Sequence, residues 1–134
     1  SRITLLSSFQ AHDSRAWYSS WSPDGNEILT CGADKSVKIW GRMGDSWVLK
    51  ETLDGLHSKS IRSCENLQME SRRDGVRLMC RYIAAASFDS NISVYRKENE
   101  EWKLFTMLEG HVNEVKNVCW SRDGKLLASC SRYL

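Results

Sequence analysis

The sequence predicts an all-β fold assembled from a repeated unit of four short strands. Three observations carry this. His12, His57 and His111 head three related segments, and Trp21 and Trp120 each stand nine residues beyond the first and third His. After each Trp come the same turn (Ser22-Pro23-Asp24-Gly25, Ser121-Arg122-Asp123-Gly124) and the same short run (Ile28-Leu29-Thr30-Cys31-Gly32, Leu127-Ala128-Ser129-Cys130-Ser131). The two copies stay in register without a gap, the mark of a structural repeat. Finally, Val37 and Ile39 flank Lys38, and Ile92 and Val94 flank Ser93. That period of two is a strand signal, and no segment shows a convincing helical period.

Taken in order, residues 1–11 read as a strand, because Ile3, Leu5 and Phe9 hold the same offsets before His12 that Trp102, Leu104 and Leu108 hold before His111. The repeat units then run over about 12–53, 57–108 and 111–134. Asp-Gly at 24–25 and 123–124 supplies turns, since Gly tolerates positive φ. The second unit departs from the others. His57 to Tyr95 spans 38 residues, against 28 from His12 to Trp40, and the extra ten fall within 64–80. That stretch carries no Trp where the pattern asks for one and does not alternate cleanly. It is expected to be an irregular, poorly ordered insertion that buries too little apolar surface to offset its ordering entropy. A splice variant or an imperfect gene model would produce such a stretch.

Composition narrows the function. Nineteen Lys and Arg against seventeen Asp and Glu leave nearly balanced charge, so there is no electrostatic case for nucleic acid or an anionic membrane as main partner. No apolar run approaches the roughly 20 residues of a membrane helix, and the first six residues are too polar for a signal-peptide core. The five Cys, at 31, 64, 80, 119 and 130, are odd in number and lack a Cys-x-x-Cys. Reduced thiols of the cytosol or nucleus fit better than a disulfide framework or a zinc site. Cys31 and Cys130 share a repeat offset and Cys119 adjoins Trp120, so burial as small apolar residues is expected. No cofactor and no metal is called for, and no enzyme constellation stands out. His, Asp and hydroxyl residues recur at fixed offsets as a structural network does, and no Ser sits in a nucleophile-elbow pattern.

Gly110-His111, the turn Asp34 and Asp89, and the aromatics Trp40 and Tyr95 closing the strand after each make the chain resemble the WD40 repeat, with about 40–45 residues and four strands per blade of a β-propeller. The resemblance implies about three blades of an expected seven, an incomplete propeller, with residues 1–11 as a strand of the closing blade. It also implies a buried network in each blade: His12, Thr30, Asp34 and Trp40 in the first, His57, Asp89 and Tyr95 in the second with Ala85 at the hydroxyl position, and His111 and Ser129 in the third. Tyr133 stands where the third turn Asp would follow Arg132.

Further runs are more specific: Asp13-Ser14-Arg15-Ala16-Trp17, Gly44-Asp45-Ser46-Trp47, Ala86-Ser87-Phe88-Asp89, Leu108-Glu109-Gly110-His111-Val112-Asn113-Glu114-Val115-Lys116 and Cys130-Ser131-Arg132. They resemble the WD40 proteins of cytosolic iron–sulfur protein assembly. That resemblance implies a non-catalytic scaffold of the cytoplasm and nucleus. Its partners would be the other subunits of an iron–sulfur targeting complex and the apoprotein clients. The candidate protein-binding face carries Ser14, Arg15, Lys59, Asn113, Glu114 and Arg132, with Arg132 implied as a partner contact. Three other readings stay open: a generic WD40 adaptor of a ubiquitin-ligase or chromatin complex, a cluster carrier using its own Cys, and a truncated, non-functional splice product.

Overall fold

The computed structural model describes residues 1–133; Leu134, the last residue of the third repeat unit, lies outside the described residues. Ten strands and no helix follow one another: β1 (Ala16–Trp21), β2 (Glu27–Gly32), β3 (Val37–Met43), β4 (Ser46–Leu53), β5 (Ile61–Arg73), β6 (Val76–Ser87), β7 (Ile92–Glu98), β8 (Glu101–Leu108), β9 (Val115–Trp120) and β10 (Leu127–Ser131). They form three antiparallel sheets in chain order, β1-β2-β3-β4, β5-β6-β7-β8 and β9-β10. Each first strand begins four residues after its His. The sheets stack face to face and, among the described residues, do not close a ring.

The middle sheet shows why stacking is obligatory. Along β6, Ile83 and Ala85 join Leu29, Cys31, Val37 and Ile39 of the first sheet in one buried cluster. The intervening Ala84 and Ala86 join Val115 and Val118 of the third in another. Successive strand residues point to opposite faces, so one apolar run, Ile83-Ala84-Ala85-Ala86, serves two interfaces. Three consecutive Ala keep this strand thin. Polar pins cross the same interfaces. The Tyr18 hydroxyl donates to Glu65 Oε1 (2.6 Å), the Ser20 hydroxyl to the Cys64 carbonyl (2.9 Å) and the Val118 N–H to the Ser63 hydroxyl (3.1 Å).

Turns follow local chemistry. In the first and third units Gly25 and Gly124 both take φ of 73°. The preceding Ser22 and Ser121 hydroxyls donate to Asp24 and Asp123, 2.6 and 2.7 Å away. The Ser22 hydroxyl and the Asn26 backbone N–H hold the Asp24 carboxyl down at about 2.

Two expectations are corrected. The insertion over 64–80 is regular strand, not an irregular segment. β5 and β6 pair without interruption from Ser63↔Ala86 to Arg73↔Val76. Asp74 and Gly75, with φ of 52° and 77°, make a two-residue turn of the kind that matches strand twist. β5 and β6 thus run to 13 and 12 residues, against 6 each for β1 and β2. Asn66 occupies the position of Trp21 and Trp120. The long ribbon is anchored at its base. Arg81 reaches Glu27 of the first sheet with Nη2–Oε2 at 2.9 Å and Nη1–Oε1 at 3.4 Å, and its guanidinium lies 5.3 Å from the Trp102 ring centroid. Burial alone would raise the Glu27 carboxyl, but Arg81 and Lys50 outweigh it and hold it low. The second correction concerns residues 1–11, which pair with no strand among the described residues. A strand exists only through its ladder, and here the segment touches the sheet through Phe9, 4.9 Å from Trp40.

Arg81→Ala should lower stability by about 1–3 kcal/mol, because it strips a nearly buried carboxylate of its main partner. Urea unfolding followed by Trp fluorescence reads this. Adding Glu27→Gln should recover part of the loss, whereas strictly additive losses would show the two side chains to be uncoupled.

Candidate functional site

The two complete sheets share a polar network at the end where the first strand starts. In the first, His12 is buried; its Nδ1 donates to Asp34 Oδ2 (2.7 Å) and its Nε2 lies 2.9 Å from the Thr30 hydroxyl. The Trp40 indole N–H donates to the same hydroxyl (2.9 Å). A carboxylate can only accept, so neutral His12 carries its proton on Nδ1 and accepts from Thr30 at Nε2. The donor chain then runs Trp40, Thr30, His12, Asp34, with every buried polar atom used. Asp34 also accepts from the Ser36 hydroxyl (2.8 Å) and N–H (3.1 Å). Burial would raise its carboxyl, but the bonds from His12 and Ser36 keep it below the usual range.

The second network is built differently. His57 Nδ1 donates to Asp89 Oδ2 (2.9 Å), but the hydroxyl at Nε2 belongs to Ser93 (2.8 Å). Ser93 stands directly across the ladder from Ala85, as Lys38 does from Thr30. The hydroxyl has thus moved one strand over to the same side of the imidazole. Sequence alignment of repeats looks only along one strand and misses it. Tyr95 is buried and packs in the core beside Ser93, on the same strand, with no hydrogen bond to its hydroxyl among the described residues. In the third sheet His111 Nε2 meets the Ser129 hydroxyl at 2.8 Å, and Tyr133 at the carboxylate position is exposed.

These networks hold one face of the molecule in place. In every unit the third residue after His accepts, through its carbonyl, the N–H of the residue that precedes the turn Asp or its counterpart. Ala33 donates to Arg15 (2.8 Å), Phe88 to Ser60 (2.9 Å) and Arg132 to Glu114 (3.0 Å). The loop after His and the loop after the second strand therefore share a surface. Ser14, Arg15, Lys59 and Arg132 are exposed there, and Asn113 and Glu114 half-buried. Arg132 Nε lies 3.1 Å from Glu114 Oε2, a pairing the sequence did not show. Arg15 lies 6.0 Å from the Trp17 ring centroid. The side chains of Ser14, Lys59 and Asn113 make no hydrogen bond among the described residues. Two aromatics that repeat reasoning passed over, Trp17 and Phe88, sit between these loops with centroids 6.0 Å apart. Their only sequence signal is position, five residues after His12 and one before Asp89.

The cysteines divide. Cys31 and Cys64 are buried; Cys119 and Cys130 are exposed, against expectation. They lie on the face of β9-β10 opposite Val115 and Val118, where nothing among the described residues covers them. A hydrogen bond with the Cys31 thiol and full burial push the Cys64 thiol well up, so it stays protonated. Among the described residues no group of three His, Cys, Asp or Glu is arranged to hold a metal. Among the described residues no helix is long and apolar enough to cross a membrane.

Stacked four-stranded sheets, each locked by a His–Asp pair, with loops gathered on one face, define a β-propeller repeat architecture of the scaffold type. The chain belongs to the family described as "WD domain, G-beta repeat", which it matches over residues 3–41 and 102–132. Among curated proteins it is 37% identical over 130 residues to a "Probable cytosolic Fe-S cluster assembly factor" of Schizosaccharomyces japonicus, covering 97% of this chain and 19% of that protein. It is 36% identical over 124 residues to the "Probable cytosolic iron-sulfur protein assembly protein CIAO1 homolog" of Caenorhabditis elegans (89% and 34%). It is 35% identical over 156 residues to the "Probable cytosolic iron-sulfur protein assembly protein 1" of Candida dubliniensis (97% and 41%). The chain thus spans between about a fifth and two-fifths of the length of these relatives.

The carboxylates yield a pH prediction. Asp34 and Asp89 are both held below their ordinary value in the folded chain. The stability they contribute is present above the unfolded carboxyl value, about 3.9, and is lost as pH falls through the lowered folded value. Asp34→Asn with Asp89→Asn should lower stability at pH 7 by about 1–2 kcal/mol each and flatten the decline on acidification. Urea melts from pH 7 to pH 2.5 would show this, and parallel curves for variant and parent would contradict it.

Proposed function

We propose that this chain is a non-catalytic protein-interaction scaffold of cytosolic iron–sulfur protein assembly. It would hold other assembly proteins and apoprotein clients on the face that carries the loops after each His. Its named relatives, which align with as much as 97% of the chain, support the biological setting. The observation that carries the mode of action is the repeated backbone bond from the loop after the second strand to the loop after His. It presents equivalent positions of three units side by side on rigid strands, as a docking surface requires. The same relatives' names speak for the cytosol. The runs around Trp17, Phe88, Asn113-Glu114 and Arg132 favour this reading over a generic WD40 adaptor.

On this reading Arg132, half-exposed with Glu114 steadying its guanidinium, is a partner contact, and Arg15, Ser14, Lys59, Asn113 and Glu114 complete the face. Arg132→Glu places like charges together and should cut recovery of iron–sulfur assembly proteins from cytosolic extract by about tenfold or more. Affinity capture with quantitative mass spectrometry measures it, with circular dichroism to show that the sheets persist. Unchanged recovery by a folded variant would remove Arg132 from the contact.

A further inference from the structure

The same face carries a second feature that the repeat pattern does not explain. The fifth residue after each His, second in the first strand of each sheet, is Trp17, Arg62 or Lys116. These three and Phe88 form a continuous ladder across all three sheets. Arg15 and Arg62 lie 6.0 and 5.3 Å from the Trp17 ring centroid. Arg62 Nη1 also donates to the Trp17 carbonyl (3.1 Å). Trp17 meets Phe88, and the Lys116 ammonium sits 4.6 Å from the Phe88 centroid. Arg15 and Lys116 are exposed and Arg62 half-buried. Each is held against a ring, so its position is set before any partner arrives.

None of these three cations forms an ion pair among the described residues. The neighbouring acids are already engaged: Asp34 with His12, Asp89 with His57, and Glu114 with Arg132. The strip is therefore a run of positioned cations with no ion pair of their own among the described residues, Glu114 lying near enough to Lys116 to feel its charge, on a chain whose overall charge is nearly balanced. A row of unpaired cations at an interface asks for carboxylates opposite. Nucleic acid fits less well, because its bases need open aromatic faces to stack on, and here cations already lie against Trp17 and Phe88.

We propose that the ladder Arg15–Trp17–Arg62–Phe88–Lys116 binds an extended acidic segment of a partner protein. The proposal rests on the scaffold reading above and gives the chemistry of one partner. Spacing adds a constraint. Stacked sheets lie about 10 Å apart, and an extended chain in the polyproline II form rises about 3.1 Å per residue with three residues per turn, so carboxylates three residues apart point to one side and fall opposite successive blades. The partner segment is acidic at every third residue and free of helix.

A fluorescein-labelled peptide of repeated Glu-Ser-Gly triplets tests this by anisotropy against the whole chain. The expected result is saturable binding that weakens with salt. A peptide of the same composition with its Glu residues contiguous should bind several-fold more weakly. Arg62→Glu and, separately, Lys116→Glu should each weaken binding about tenfold or more. The Lys116 ammonium lies against the Phe88 ring and makes no hydrogen bond or ion pair among the described residues, so its variant decides the matter should Arg62→Glu fail to fold. The proposal is overturned if the spaced peptide does not bind, if both folded variants bind it as the parent does, or if a single-stranded oligonucleotide binds better than the peptide. Capture of assembly proteins separates the two ideas. Peptide binding with no capture of assembly proteins by the parent chain supports the ladder and removes the wider reading, whereas capture of assembly proteins without peptide binding does the reverse.

Discussion

A buried imidazole cannot stand alone. Once His12 and His57 are packed beneath the start of their sheets, each must keep an acceptor at Nδ1 and a hydroxyl at Nε2. The acceptor comes from the turn between the second and third strands, so one hydrogen bond of 2.7 or 2.9 Å ties the loop before the sheet to a turn inside it. Loop positions, strand starts and the shared face all follow from that tie. The network tolerates rearrangement provided the chemistry is conserved, as the exchange of Thr30 for Ser93 across the ladder shows.

The tie alone would not make a stable unit. In the middle sheet Ile83, Ala84, Ala85 and Ala86 reach full burial because sheets stand on either side of them. This is the energetic logic of repeat proteins, in which stability comes from neighbour interfaces as much as from the units themselves. Polar pins such as Tyr18–Glu65 and Arg81–Glu27 sit at the margins of those interfaces and fix their register, while Ala84 and Ala86 set how closely the sheets approach. The lengthened β5–β6 ribbon is accommodated because it grows outward from the sheet edge and leaves the stacked core unchanged.

Function is a by-product of the same arrangement. Rigid strands deliver equivalent loop positions to one surface, and the side chains there are released from structural duty by the networks below. Arg15, Arg62 and Lys116 lie against Trp17 and Phe88, whereas Arg132 pairs with Glu114. On the proposed reading this leaves the charge of the first three available to a partner.

The repeat itself was readable from the chain. His, Trp, Asp-Gly and alternating strands announce four-stranded units, since local turn and pleat chemistry depends on nearby residues. The ribbon at 64–80 was readable too, through Asp74-Gly75, but the missing Trp at Asn66 obscured it. Other features lay beyond the sequence. The move of a hydroxyl from Ala85 to Ser93, the Arg132–Glu114 pair, the exposure of Cys119 and Cys130, and the ladder through Trp17 and Phe88 join residues that are distant in sequence or lie on different strands. Which atoms meet across a sheet or between sheets depends on register and stacking, and these are set only when the apolar faces close on one another.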